Sequence, residues 1–218
     1  MRYALPTLAL LATICFGSAF VQAEGTTAAK PSCEKGKQLL SEDFSGSTLD
    51  KGWTVAKGKW EVSDGVLKGV EKPEDMHPAV IGHAIEAHNL IAEFSFRFDG
   101  SKSVAFSLNN KKGHVCRVSI TPALVSLNKD KPGKDSTEKG AMLGKEKVSL
   151  EPGTWHTMIV TVCGKQMAAN LDGKDLVSGS NDGIDVEKTS IRFPTSGTGV
   201  SIKQVRVWEA VPQKTASK

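Results

Sequence analysis

The chain has 218 residues, of which 39% are hydrophobic and 24% are charged, and its formal net charge is +4. This length allows one large domain whose core forms without metal ions or disulfides. The composition excludes a disordered or collagen-like chain. Basic and acidic residues are interspersed, whereas nucleic-acid binding usually concentrates basic residues on one face or tail. We therefore predict no nucleic-acid partner.

The first 23 residues have the layout of a secretory signal peptide. Arg2 is followed by an apolar segment that ends near Phe16, and small residues occupy the last positions up to Ala23. This segment is too short for a relaxed transmembrane helix, and no other segment is apolar enough to span a bilayer. We expect cleavage after Ala23 and export to the periplasm or the extracellular space. An uncleaved membrane anchor is the alternative.

Cleavage after Ala23 leaves three cysteines, Cys33, Cys116 and Cys163. Because this number is odd, at most one internal disulfide forms. Cys116 alternates with apolar residues and is expected to be buried, whereas Cys33 lies in a polar segment and Cys163 lies beside a turn. A Cys33–Cys163 disulfide is the candidate pairing, and three unpaired cysteines are the alternative. The spacings contain no C-x-x-C motif, so no zinc or redox site is predicted.

From Gln38 onward the pattern indicates β-structure throughout. Short segments with alternating apolar residues are separated by turn signals such as Asp64-Gly65, Asp99-Gly100 and Asp172-Gly173. The last apolar run changes parity at Lys203-Gln204, which indicates a β-bulge. About 12–14 strands without helical periodicity predict an all-β protein with an antiparallel sandwich or barrel.

No shift in composition divides the chain after residue 38, so one domain is expected over residues 38–210. Residues 24–37 are predicted to be a flexible polar leader, and residues 211–218 a disordered tail. Residues 129–147 hold six lysines and four acids. This mixture predicts a solvated loop or edge strand and not a binding patch.

Three consecutive predicted strands place apolar residues at even positions and polar residues at odd positions. The odd positions include Glu93, Arg97, Asn109 and Arg117. If the three strands pair side by side, these residues share one face with several small polar side chains. Such a face suits a hydroxyl-rich ligand, and we predict that these four residues bind it. The ordinary solvated face of an antiparallel sheet is the alternative.

Signatures of metal or cofactor chemistry are weak. The five histidines form no metal-binding pair, and no P-loop, nucleophile elbow or dinucleotide motif occurs. Asn181, Asp182 and Asp185 are candidate calcium ligands, but their spacing fits no EF-hand and turn formation explains them better. We therefore predict no metal site and no cofactor, with calcium binding left as an option that no motif supports.

Glycoside hydrolysis needs two carboxyl groups on opposite sides of the scissile bond. Glu93 is the best candidate for one of them, and Asp99 or Asp172 for the other. The neighbouring Arg97 would keep the Glu93 carboxylate ionised, which suits hydrogen bonding better than general acid catalysis.

Several segments resemble concanavalin A-like and laminin-G-like jelly rolls. They are residues 43–53 (DFSGSTLDKGW), 58–67 (GKWEVSDGVL), 152–156 (PGTWH), 171–174 (LDGK) and 191–207. Over residues 38–210 the chain is similar to exported bacterial domains called 3-keto-disaccharide hydrolase-like. The resemblance implies a concanavalin A-like jelly roll and a carbohydrate-related role.

The chain departs from that resemblance at Arg97 and Val115, which stand where carboxylates are expected. The leading hypothesis is therefore an exported, non-catalytic, lectin-like domain that binds a carbohydrate or another cell-envelope ligand in a polar concave groove. A glycoside or 3-keto-disaccharide hydrolase is the first alternative. A structural or protein-interaction module of the cell envelope is the second, and the sequence does not indicate an oligomeric state.

Overall fold

A computed structural model describes residues 31–213, so the predicted signal peptide and the end of the predicted tail lie outside the described residues. The described chain forms 15 strands and two 3₁₀ helices. In chain order the strands are β1 (Cys33–Glu42), β2 (Trp53–Lys57), β3 (Lys59–Ser63), β4 (Val66–Val70), β5 (Ala79–Ala87), β6 (Leu90–Phe98), β7 (Ser101–Asn110), β8 (Gly113–Thr121), β9 (Leu124–Lys129), β10 (Ala141–Lys147), β11 (His156–Cys163), β12 (Gln166–Leu171), β13 (Lys174–Ser180), β14 (Lys188–Gly197) and β15 (Val200–Pro212). The 3₁₀ helices are Pro73–Asp75 and Asp182–Ile184. Neither is long and apolar enough to cross a membrane.

The strands form two antiparallel sheets that pack face to face. Sheet A has the order β13-β12-β11-β6-β15-β4-β3, and β1 also pairs with β15. Sheet B has the order β10-β9-β8-β7-β14-β5-β2. The predicted all-β antiparallel sandwich is confirmed. The described residues contain one strand more than the expected range.

The core lies between the two sheets, where the apolar positions of each alternating strand meet. Phe94 of sheet A packs against two rings of sheet B, with centroid distances of 5.3 Å to Phe106 and 5.1 Å to Phe193. All three side chains are fully buried. Because neighbouring residues of a strand point to opposite faces, the residues on either side of each of these rings lie on the outer faces of the sandwich.

The chain passes between the sheets several times, and two of these crossings are the β6–β7 connection and the β14–β15 connection. The two crossings touch, since the backbone N–H groups of Asp99 and Ser101 both donate to the Gly199 carbonyl, at 3.1 and 2.7 Å. Gly100 has a φ of +106°, which favours glycine. Asp99-Gly100 is thus a crossover between sheets. The expectation that the three predicted strands pair side by side is wrong for β6, which pairs with β11 and β15.

Both ends of the domain extend beyond the predicted boundaries. Residues 33–37, which the sequence assigns to a flexible leader, belong to β1, where Cys33 pairs with Pro212 and Lys35 with Ala210 of β15. Residues 211–212 of the predicted tail are therefore also in a strand. A disulfide joins Cys33 to Cys163, which is the candidate pairing from the sequence, and Cys116 is free and buried. The predicted bulge is confirmed by a register shift between Lys203 and Arg206.

Candidate functional site

The fold separates the four residues that were predicted to share one groove. Glu93 and Arg97 lie on the outer face of sheet A, where they pair with residues of β11 and β15. Asn109 and Arg117 lie on the outer face of sheet B, on the other side of the core. The single four-residue groove is therefore wrong. Alternation tells which residues point away from the core but not which sheet a strand joins.

Ion pairs engage both candidates on sheet A. Glu93 accepts a hydrogen bond from Lys35 Nζ at 2.8 Å, and its other oxygen is 3.5 Å from Arg206 Nη1. Arg97 donates from Nε and Nη2 to the Asp99 carboxylate at 2.7 and 3.1 Å. The Glu93 and Asp99 carboxylates are thus both engaged by cationic side chains of the domain itself.

Asp172, the other candidate for a second catalytic acid, also has a structural partner on sheet A. Its Oδ1 accepts from the Thr157 backbone N–H at 2.7 Å, and its Oδ2 lies 2.8 Å from His156 Nδ1. These contacts tie the β12–β13 turn to the start of β11.

The outer face of sheet B carries a row of side chains that crosses four adjacent strands. Ser107 in β7 lies between Arg117 of β8 and Arg192 of β14, and Gly82 of β5 follows Arg192 in the same row. Gly82 leaves room for the long neighbour, because a Cβ there would lie 3.0 Å from Arg192 Cγ. Ser107 is only 1% exposed between the two arginines. The row thus presents two guanidinium groups separated by a small polar residue.

The two arginines differ in how they are held. Arg117 donates from Nε to both carboxylate oxygens of Asp130 at 2.9 Å, and Asp130 is buried at the end of β9. Nothing in the described chain accepts a hydrogen bond from the terminal nitrogens of Arg117, or from any guanidinium nitrogen of Arg192. These N–H groups are therefore available to hydroxyl or anionic oxygens of a ligand.

Asn109 and His114 extend this face towards the β7–β8 turn. Ser107 Oγ donates to Asn109 Oδ1 at 3.3 Å, and Asn109 Nδ2 is 3.2 Å from His114 Nδ1. Burial is the largest influence on His114, and it lowers the pKa of the imidazole. The positive charges of Arg117 and Arg192 lower this pKa further, while Asp130 acts in the opposite direction.

The carboxylates near these side chains do not form a catalytic pair. On the sheet B face, Asp130 is the carboxylate in contact with the arginine row, and it is bound to Arg117. The described residues contain no group of three or more His, Cys, Asp or Glu that could hold a metal ion. Of the calcium candidates, Asn181 caps Gly183 N at 2.9 Å, Asp182 lies near Lys165, and Asp185 lies 2.7 Å from His88 Nε2.

Arg192 is the residue of this face that sequence reasoning missed. Its position between Ile191 and Phe193, which are both fully buried, is the available signal that it points outward. That β14 lies beside β7 is a property of the long-range topology, and local alternation carries no information about it.

Comparisons with known proteins agree with this architecture. The family described as 3-keto-alpha-glucoside-1,2-lyase-like domain matches residues 40–208. A search of the curated proteins gave no match. The carbohydrate-binding module CBM66 from Bacillus subtilis superposes with a TM-score of 0.61 and 14% identity, over 72% of this chain and 96% of that chain.

Two further solved structures are similar. A protein of unknown function with a galectin-like fold from Bacillus subtilis has a TM-score of 0.61 and 12% identity, over 83% of this chain and 100% of that chain. Porphyranase B from Zobellia galactanivorans has a TM-score of 0.60 and 15% identity, over 84% of this chain and 100% of that chain. Such low identities show the jelly-roll fold alone. The family match, in contrast, spans most of the sequence, and the chain belongs to the family of 3-keto-alpha-glucoside-1,2-lyase-like domains.

Proposed function

We propose that this protein is an exported carbohydrate-binding domain that holds its ligand on the outer face of sheet B without cleaving it. The observation that carries the proposal is the row in which Arg117 and Arg192 flank Ser107, with terminal guanidinium N–H groups that no described residue engages. Saccharides present dense arrays of hydroxyl oxygens, and such charge-assisted hydrogen bonds are stronger than neutral ones.

The second support is the size of the side chains around the row. Ala105, Ser107, Ser119 and Ser126 lie on the same face in adjacent strands. Short side chains leave a shallow surface on which a sugar ring reaches the arginines without meeting bulky groups. The CBM66 structure is a carbohydrate-binding module on this fold, and we extend that role to this chain as a proposal.

Export is part of the proposal. Residues 1–23 have the signal-peptide layout described above, and the Cys33–Cys163 disulfide suits an oxidising compartment.

Cleavage of a 3-keto-glucoside is the second candidate function, and the family match is the observation that favours it. Elimination would need a base that removes the proton from the carbon beside the ketone, while the glycosidic bond breaks and the leaving oxygen takes up a proton. His114 is the candidate base on this face, because its lowered pKa keeps it neutral near pH 7. The guanidinium groups would then stabilise the developing enolate oxygen.

Calorimetric titration of the exported chain with a panel of neutral, acidic and 3-keto oligosaccharides tests both functions. We expect Arg192→Ala to weaken binding about tenfold or more, because each lost hydrogen bond to a charged group contributes about 1.5–3 kcal/mol. Arg97→Ala is the matched control, since it removes an arginine from the outer face of sheet A.

The outcomes separate the candidates. If Arg97→Ala weakened saccharide binding and Arg192→Ala did not, the ligand would lie on sheet A, and this proposal would be wrong. Binding of no saccharide would overturn the carbohydrate function altogether. Release of products from a 3-keto-glucoside, abolished by His114→Gln, would establish the lyase instead.

A further inference from the structure

A basic depression lies at the end of the sheet B face, beside the β7–β8 turn. Its volume is about 710 Å³, and no acidic residue lines it. Six basic residues do: Lys111, Lys112, His114, Lys131, Lys134 and Arg192. We refer to these six residues as the basic depression.

The fold builds this depression from two loops that are distant in sequence. Residues 110–113 connect β7 to β8, and residues 130–134 follow β9. The loops are fastened where His114 N donates to the Pro132 carbonyl at 3.0 Å. Gly113 permits the approach, because a Cβ on this residue would lie 1.8 Å from Pro132 O and its φ is +124°. Two lysine pairs that the sequence presents separately therefore line one cavity.

The charges of the depression are not neutralised from within. Lys131 Nζ donates to the Lys134 carbonyl at 2.8 Å, which is not a charged partner. Within the described residues, the side chains of Lys111, Lys112, Lys134 and Arg192 form no ion pair. The adjacent Asp130 carboxylate is bound to Arg117. The depression thus concentrates positive charge that an anionic ligand would balance.

Neighbouring acidic groups lie outside the depression. A second cavity of about 520 Å³ shares Lys111, Lys112 and His114 with the depression. Its other side is lined by three acidic residues, Glu86, Glu138 and Glu187. Glu138 is paired with the buried Lys129 at 2.8 Å, and Glu187 lies 3.1 Å from His88 Nδ1. Asp135 is exposed in the loop after Lys134 and does not line the depression.

The depression is continuous with the saccharide face, because Asn109 and Arg192 belong to both. A ligand lying along the arginine row therefore reaches the lysines at its end. Two half-buried tryptophans, Trp155 and Trp208, could stack on nucleic-acid bases, but they lie on the side of sheet A. There Trp155 contacts Arg97 and Lys203, and Trp208 contacts Lys35. Hydroxyl recognition next to an anion site favours an acidic sugar over a nucleic acid.

We propose that the ligand of the sheet B face is an acidic saccharide, and that the basic depression holds its carboxylate or sulfate group. This inference rests on the proposed function and adds the chemical class of the ligand.

Two tetrasaccharides that differ only in charge test the inference. The exported chain is titrated with α-1,4-linked tetragalacturonate and with α-1,4-galactotetraose, in which each carboxylate is replaced by a hydroxymethyl group. Lys111→Gln/Lys112→Gln is compared with Lys165→Gln/Lys174→Gln, a variant with the same charge change at exposed positions around β12 on sheet A. A single-stranded oligonucleotide and sulfated galactotetraose complete the panel.

We expect tighter binding of tetragalacturonate or of the sulfated sugar than of the neutral sugar, and an affinity that falls as the salt concentration rises. Lys111→Gln/Lys112→Gln should lower the affinity for the acidic sugar about three- to tenfold, which is the size expected for exposed ion pairs. The affinity for the neutral sugar should not change. The control variant should have little effect on either.

The contrary results are distinct. Equal affinity for acidic and neutral sugars would overturn this inference and leave carbohydrate binding intact. Equal losses in the two double variants would show a non-specific charge effect and would also overturn it. Binding of the oligonucleotide with no binding of any sugar would overturn both the inference and the proposed function.

Discussion

The pKa of His114 depends on the burial of its side chain and on the charges around it. Burial, Arg117, Arg192 and His77 all lower its pKa from the ordinary value of 6.5, and Asp130 only partly offsets them. The imidazole is therefore neutral near pH 7, although it lines the proposed anion site. An anion bound there would favour the imidazolium and raise this pKa again.

We therefore expect tetragalacturonate to bind more tightly as the pH falls from 7 through the ordinary and then the lowered pKa of His114. The affinity rises as the pH falls because the complex holds more protons than the free protein in that range, while the galacturonate carboxylates stay ionised. Titrations at pH 7, 6 and 5 measure the effect, and buffers of different ionisation enthalpy measure the proton uptake. His114→Gln should remove most of the pH dependence. An affinity that does not change with pH in the unmodified protein would contradict this assignment.

Lys129 illustrates what single-residue reasoning from sequence cannot see. It belongs to a lysine-rich segment that the sequence assigns to solvent, yet it is only 6% exposed. Its Nζ donates to Glu138 Oε2 at 2.8 Å and to the Lys139 carbonyl at 3.0 Å. A buried lysine with such partners holds the loop after β9 in place. Composition gave the correct edge strand, β10, but not the residue that anchors the loop before it.

At the level of strands, the sequence determines orientation more securely than pairing. The even positions of β6 and of the central parts of β7 (104–108) and β8 (116–120) are apolar, and the structure buries them, among them Phe94, Phe106 and Val118. Most outward odd positions are therefore identified correctly, but the register shift between Leu108 and Asn109 buries Val115 and sets His114 opposite Asn109. The sheet to which each strand belongs depends on the crossover at Gly100, and the same two residues, Asp-Gly, also occur in hairpin turns. The prediction consequently grouped Glu93 and Arg97 of sheet A with residues that lie on sheet B.

β1 is the strand that depends most on a covalent link. It lies beside β15, off the main strand order of sheet A, and its first residue is Cys33. The disulfide to Cys163 closes a loop with a sequence separation of 130 residues. Closing a long loop restricts the unfolded chain, and removing a native disulfide typically costs about 2–5 kcal/mol.

We expect Cys33→Ser/Cys163→Ser to lower the free energy of unfolding by about 2–5 kcal/mol in urea titrations. Amide exchange should accelerate first at Glu34 and Lys35, where β1 is fastened to β15. Dithiothreitol treatment of the unmodified protein should give the same loss and should not affect the double variant. Identical urea midpoints for the oxidised and reduced protein would show that the disulfide does not stabilise the domain.

At the scale of the whole molecule, the outer faces of the two sheets differ in chemistry, although their inner faces are both apolar and form one core. Sheet A carries ion pairs between its own side chains, such as Lys35–Glu93 and Arg97–Asp99. Sheet B carries guanidinium groups with unused donors and a depression without acids. A sandwich whose sheets share one core allows one face to stabilise the fold while the other is available for a ligand.

This arrangement requires that the two sheets unfold together, and Phe94 is the residue that tests it. Its ring, from sheet A, contacts Phe106 and Phe193 of sheet B and is fully buried. Phe94→Ala should lower the free energy of unfolding by about 3–5 kcal/mol, because it removes buried apolar surface and leaves a cavity between the sheets. Phe94→Leu retains more of the volume and should cost less. Hydrogen exchange followed by mass spectrometry should show protection decreasing in parallel in β11 of sheet A and in β8 of sheet B. Faster exchange confined to sheet A would mean that the sheets open independently and that the face of sheet B does not depend on its partner.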